Sequence, residues 1–305
     1  MKTAFIYPGQ GAQKIGMGKD FYESYEMCQK VFDDANEKLD FDLKHICFDE
    51  NDLINKTEYT QPTMVATCLA ITEQLKEMGI EPDITAGLSL GEYAAIAAAG
   101  GMSSTDAITT VRKRGIYMSE AVPAGEGAMA AVLGMEADAI EQTIGGMEDV
   151  SVANYNCPGQ IVITGKAEAV DKASAKLEEA GARRVIKLNV SGPFHSQFLE
   201  GAGAKLREDL DNVKFNQLKV PYVANTTAKK VEDISETKNL LQVQVSSSVR
   251  WEQSMREMID MGVERFVEIG PGKTLRGFLK KINKDVEVIN ISSVDELQKA
   301  MELLK

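Results

Sequence analysis

Short apolar runs alternate along the chain with apolar positions spaced three and four apart, and that alternation predicts its elements. Residues 3–7 are a continuous run that predicts a short buried strand, ending in Pro8-Gly9-Gln10-Gly11-Ala12-Gln13. The glycines there suit a loop whose backbone approaches a neighbour closely. Gln61-Pro62 predicts the start of a helix running to Met78, with the proline near its first turn. Met64, Cys68, Ile71, Leu75 and Met78 recur along it at the spacing of one core-facing side. Residues 81–86 read as a loop feeding a buried strand, and 92–99 as a helix closed by Gly100-Gly101. Ser103 with Asp106 has the form of a capping box and predicts a helix to about residue 122.

The texture changes at Pro123-Ala124-Gly125. Residues 128–133 read as a strand, 136–144 as a helix, and 151–155 and 160–164 as strands joined by a Cys157-Pro158-Gly159 turn. Val170, Ala173, Leu177 and Ala180 mark another helix, and 183–188 a last strand. That βαββαβ order is the ferredoxin-like arrangement. Beyond it a helix is expected from Phe194, a strand at 220–224, and helices around 240–247 and through 255–261. A strand at 265–269 ends in Gly270-Pro271-Gly272, followed by a helix at 274–282, a strand at 286–291 and a helix capped by Ser293 with Glu296. Alternating strands and helices on both sides of the insertion imply a mostly parallel sheet covered on both faces. The expectation is an α/β protein. Residues 1–122 and 192–305 would form a large, discontinuous α/β-hydrolase-like domain, and 123–191 an inserted ferredoxin-like small domain.

The 305 residues suffice for a sizeable core. No run approaches the roughly 18 uninterrupted apolar residues of a membrane helix. The apolar start is too short for a signal peptide, so a cytoplasmic protein with no membrane partner is expected. A net charge of -12 argues against nucleic-acid binding through a broad basic face. It also leaves a small anionic substrate in need of a local cation. Cys28, Cys47, Cys68 and Cys157 are scattered without a CxxC pair, which favours free thiols over disulfides or a zinc site.

Candidate chemistry centres on Gly87-Leu88-Ser89-Leu90-Gly91, set between a strand and a helix as in a nucleophile elbow. Glycines two places either side let the backbone take a strained turn where a Cβ would clash. The helix N-terminus beyond favours negative charge developing beside the hydroxyl. The bland alternative is a glycine-rich turn with a capping serine. A serine nucleophile needs a base, and the chain has only two histidines. His195, in Ser191-Gly192-Pro193-Phe194-His195-Ser196, lies where the small domain returns to the large one, a good place for a general base. His45, among the charges of Asp42-Leu43-Lys44-His45-Ile46-Cys47, reads better as a surface or capping histidine. On the helix after Ser103, Lys113 shares a row with Asp106 and Glu120 and should face solvent. Arg114 falls instead beside Ala107, Thr110, Tyr117, Met118 and Ala121. An arginine on that strip either snorkels to the surface or needs an anionic partner.

Several segments now match one pattern in order: Pro8 through Gln13, Gly87 through Tyr93, Arg114-Gly115 with Met118, and Asn154 through Gln160. Gly192 through Ser196, Gln244 and Glu268-Ile269-Gly270-Pro271-Gly272 follow. The chain closely resembles, over essentially its whole length, the malonyl-CoA:acyl-carrier-protein transacylases of bacterial fatty acid synthesis. The resemblance implies transfer of a malonyl group from malonyl-CoA to the phosphopantetheine thiol of acyl carrier protein. The route would be ping-pong through a malonyl ester of Ser89, with no metal or redox cofactor. His195 would be the base, oriented by the backbone carbonyl of Gln244, and the N–H groups of Gln10 and Leu90 the oxyanion hole. Arg114 would hold the malonyl carboxylate, with Met118 and Asn154 lining the pocket. A planar guanidinium matches a carboxylate bidentately, and that charge could not be buried unpaired.

Leu88 departs from the family, where histidine is common before the serine, while Phe194 resembles the malonyl-selecting form of the motif in related polyketide acyltransferases. An acidic carrier would need local basic groups: Arg183, Arg184 and Lys187, or Lys280, Lys281 and Lys284, are candidates, solvated faces being the alternative. Three other readings share parts of the pattern: an acyltransferase serving a polyketide synthase, a serine hydrolase or thioesterase, and a non-enzymatic carrier-binding module. Arg114 gives no advantage to a neutral ester and His195 lacks an obvious acid partner, which weighs against the hydrolase.

Overall fold

The structure, a computed structural model, describes residues 1–190 and 192–304. The expected domain border at residue 191, and Ser191 of the motif before His195, lie outside the described residues. The strands are β1 (Lys2–Tyr7), β2 (Ile84–Gly87), β3 (Gly127–Leu133), β4 (Val150–Cys157), β5 (Gln160–Lys166), β6 (Arg184–Lys187), β7 (Tyr222–Val223), β8 (Lys230–Val231), β9 (Val263–Ile269) and β10 (Glu287–Ile291). The first helices are α1 (Lys19–Ser24), α2 (Glu26–Asn36), α3 (Leu43–Phe48), α4 (Thr57–Glu77), α5 (Gly91–Ala98) and α6 (Ser104–Glu120). They are followed by α7 (Ala137–Ile144), α8 (Ala167–Glu179), α9 (Glu200–Asp211), α10 (Thr237–Gln244), α11 (Trp251–Asp260), α12 (Thr274–Ile282) and α13 (Val294–Leu304).

One sheet runs β10-β9-β1-β2-β7-β8, parallel throughout except where β8 turns back on β7. A parallel sheet needs cover on both faces, and β1 at its centre supplies both. Phe5 and Tyr7 point into the larger core, while Ala4 and Ile6 join Ile84, Ala86, Phe266, Trp251 and Met255 on the other side. The second sheet runs β4-β5-β3-β6 and is antiparallel. One of its faces packs Ala130, Val132, Ile161 and Ile163 against Ile140, Val170, Ala173 and Leu177 of α7 and α8. Its other face sends Met129, Ala131, Ala153 and Val162 into the larger core. Val249 stitches the two parts together, its N–H donating to Ala153 O (2.8 Å) and its carbonyl accepting from Tyr155 N (2.9 Å).

Two helix starts differ from expectation for a physical reason. Helix α4 begins at Thr57, so Pro62 lies inside it rather than near its first turn. A proline there leaves the carbonyl four residues back without its helical donor. That carbonyl, Glu58 O, accepts instead from Nη1 of Arg112 at 2.8 Å. Arg112 is buried on α6, paired bidentately with Asp40 (2.9 and 2.8 Å) and stacked by the rings of Phe41 and Tyr59. The helix expected from Phe194 begins only at Glu200, after a 3-10 turn at Gln197–Leu199, because His195 takes a left-handed backbone (φ 57°). Strand β8, two residues long, was not foreseen. The four cysteines are buried and unpaired. Among the described residues no helix is long and apolar enough to cross a membrane.

Candidate active site

The turn from β2 into α5 carries Ser89 at φ 54°, a left-handed conformation that a residue with a Cβ adopts only under strain. The flanking glycines make room for the turn, as expected of them. Neither has a left-handed backbone; each is where a side chain has no room. A Cβ on Gly87 would stand 1.9 Å from the Gly91 carbonyl oxygen, and one on Gly91 would stand 2.5 Å from that of Tyr7. Asn225 clamps the turn from below. Its Oδ1 accepts from the Ser89 N–H at 2.7 Å and its Nδ2 donates to Gly87 O at 2.7 Å.

Ser89 Oγ lies 2.8 Å from Nε2 of His195. On the far side of the ring, Nδ1 faces the carbonyls of Gln244 (2.9 Å) and Ser247 (3.2 Å). Two carbonyl acceptors assign the proton to Nδ1, which leaves the Nε2 lone pair for the serine O–H. Burial, reinforced by the charge of Arg114, pushes the His195 pKa down to about 4 against the opposing pull of the carbonyls. The imidazole is therefore a neutral, proton-ready base at neutral pH.

Arg114, 1% exposed, reaches the same hydroxyl from α6. Its Nη2 donates to Ser89 Oγ (3.0 Å) and to Gln244 Oε1 (2.9 Å), and its Nη1 to Gln61 Oε1 (2.7 Å). The guanidinium also stands over the Tyr93 ring, while its Nε has no partner among the described residues. All these contacts are with uncharged groups, and burial lowers its pKa. A buried cation without a contacting anion is a costly arrangement that an incoming carboxylate would relieve. The carboxyl of Glu92 lies one residue further back, accepting from Gln244 Nε2 (2.5 Å) and from the Asn225 N–H (3.2 Å), and burial pushes it up to about 7.

A cavity of about 490 Å³ opens over this cluster. Gln10, Ser89, Leu90, Arg114, Met118, Asn154, Phe194 and His195 all line it, so the residues singled out from sequence meet in one crevice. Gln244 lies behind His195, fully buried. The N–H groups of Gln10 and Leu90 have no hydrogen-bond partner among the described residues. Helix α12 supplies another wall through Thr274, Leu275 and Phe278, and Glu268 caps its first turn by accepting from the Leu275 and Arg276 N–H groups (3.0 and 2.9 Å). His45 stands exposed on α3 against Asp49. Sequence reasoning did not single out Gln61, Glu92, Asn225 or the side chain of Gln244. Polar amides in helices and turns carry no periodic signal, although a glutamate inside an alanine-rich apolar stretch is a recognisable anomaly.

Such a serine–histidine pair beside a helix N-terminus is the arrangement that chemistry through an acyl-serine requires. Residues 4–302 match the acyl transferase domain, and the chain belongs to that family. It is 46% identical over 309 residues to the malonyl CoA-acyl carrier protein transacylase of Bacillus subtilis (strain 168), covering 100% of this chain and 98% of the relative. The crystal structure of malonyl CoA-acyl carrier protein transacylase from Clostridium perfringens superposes with a TM-score of 0.96 at 40% identity, covering 100% of this chain and 97% of that one. A malonyl-transacylase in complex with its type II polyketide acyl-carrier protein superposes with a TM-score of 0.95 at 33% identity, covering 99% and 100%.

Proposed function

We propose that this chain transfers malonyl from malonyl-CoA to the phosphopantetheine thiol of acyl carrier protein, supplying fatty acid synthesis. The observation that carries this reading is the buried Arg114 guanidinium, which touches only neutral groups and sits beside the hydroxyl of the Ser89–His195 pair. Malonyl differs from other short acyl groups by a free carboxylate, and Arg114 is the group that would bind it.

In the first half-reaction His195 Nε2 takes the Ser89 proton as Oγ attacks the thioester carbonyl. The developing oxyanion is met by the free N–H groups of Gln10 and Leu90. The C–S bond breaks, the imidazolium returns its proton to the CoA sulfur, and malonyl remains on Ser89. In the second half His195 deprotonates the carrier's thiol, which attacks the serine ester, and the proton returns to Oγ. The Gln244 carbonyl holds the ring for both halves, while Met118, Asn154 and Phe194 shape the acyl pocket.

The division of labour follows the topology. On this reading residues 1–122 and 192–304 act as an α/β-hydrolase-like unit, and the β4-β5-β3-β6 sheet with α7 and α8 as a ferredoxin-like insertion whose Met129, Asn154 and Val162 line the crevice. Exposed Arg183, Arg184 and Lys187, or Lys280 and Lys281 at the end of α12 with Lys284 just beyond it, would receive an acidic carrier in the cytoplasm. Neither nucleic acid nor a membrane enters the scheme. The test is to incubate the protein with malonyl-CoA and then with holo carrier protein. One malonyl group should appear on Ser89 and pass to the carrier thiol; no ester on Ser89, or release to water alone, refutes the reading.

A further inference from the structure

The site rests on a buried carboxyl that the reaction steps above do not use. Glu92, in the first turn of α5, is 1% exposed. One of its oxygens accepts from Gln244 Nε2 at 2.5 Å and the other from the Asn225 backbone N–H at 3.2 Å. It therefore touches both supports of the chemistry: Asn225, whose side chain clamps the Ser89 turn, and Gln244, which serves His195 and Arg114.

Donor and acceptor logic makes this contact directional. In its ionised form Glu92 only accepts, and so turns the Gln244 amide nitrogen towards itself. The amide oxygen must then point the other way, at Arg114 Nη2, 2.9 Å distant. The same amide nitrogen also donates to Ser89 O (2.9 Å), which ties the plane of the Gln244 side chain to the elbow. With Gln61 Oε1 on Nη1, two oxygens fix the guanidinium fork without neutralising it. We propose that Glu92 is a positioning residue for substrate choice: by setting the polarity of the Gln244 amide, it aims Arg114 at the acyl pocket. This rests on the malonyl transfer reading above.

Glu92→Gln puts the idea at risk, because one amide must now be misplaced. Either the new side chain turns its nitrogen to the Asn225 N–H, or Gln244 rolls over and turns its nitrogen to Arg114. Rates of Ser89 loading by malonyl-CoA and by acetyl-CoA, with kcat and KM for carrier transfer, are measured for wild type and variant. Malonyl kcat/KM should fall by about tenfold to a hundredfold, mainly through KM, while acetyl loading changes less than about threefold. An equal fall for both acyl groups, or no fall, overturns the proposal. Should Glu92→Gln not fold, Gln244→Leu keeps the backbone carbonyl for His195 and must show the same loss of malonyl preference; an unchanged preference overturns it. Wild-type loading separates the two ideas, since a wild type that never takes malonyl defeats the transfer reading itself.

Discussion

Arg114→Ala is the most demanding test of the site. Arg114 is 1% exposed, so a carboxylate pairing with it leaves water and gains a contact little screened by solvent. Removing one partner of such a pair costs about 3–5 kcal/mol. At about 1.36 kcal/mol per decade, malonyl loading should lose roughly 2.2–3.7 decades of kcat/KM. Acetyl, which has no carboxylate, should lose nothing of this kind. It should even gain, because Arg114 donates to Ser89 Oγ at 3.0 Å and its charge helps depress His195. With the guanidinium gone, the hydroxyl sheds a competing donor and the imidazole becomes a stronger base. The assay is rapid-quench loading with labelled malonyl-CoA and acetyl-CoA, wild type beside variant, with intact mass locating the label on Ser89. A malonyl-to-acetyl ratio that moves less than about tenfold would refute the claim that this cation selects the substrate.

The remaining expectations are quickly stated. The rate of Ser89 loading by acetyl-CoA, which does not call on Arg114, should fall with decreasing pH only through about 4, since protonation of His195 removes the base below that point; a limb near the ordinary value of 6.5 contradicts the burial argument. Gly87→Ala forces a methyl to within 1.9 Å of the Gly91 oxygen and should lower stability by more than about 3 kcal/mol, read from denaturant unfolding; a near-neutral result would mean the elbow can relax. Asn225→Ala unclamps the turn rather than the acyl pocket. It should slow malonyl and acetyl loading alike, by about tenfold to a hundredfold, so a selective effect would reassign its role.

What could be read from the chain was whatever a few neighbouring residues determine. The elbow was legible because strand, glycines and alanine-rich helix lie within one short segment, and Arg114 because a helical wheel separates it from Lys113. The start of α4 was misplaced because the rule for proline is local, whereas the donor replacing its missing N–H is Arg112, 54 residues from Glu58. The amides that finish the site were invisible for the same reason. Asn225 reaches Ser89 across 136 residues and Gln244 across 155; nothing local marks Asn225, and the resemblance marked Gln244 only for its backbone carbonyl. The late start of α9 followed from a left-handed backbone at a histidine, a conformation that only the surrounding packing imposes.

The hydroxyl and the imidazole are separated by 106 residues of chain, and the ring's carbonyl support comes another 49 later. On the ribosome, then, the serine emerges as an ordinary alcohol and stays one while the whole inserted sheet is translated. On the proposed mechanism its activation waits for His195 and then for the segment that carries Gln244. A chain cut before Gln244 would lack that carbonyl support, and one cut before His195 would lack the proposed base itself.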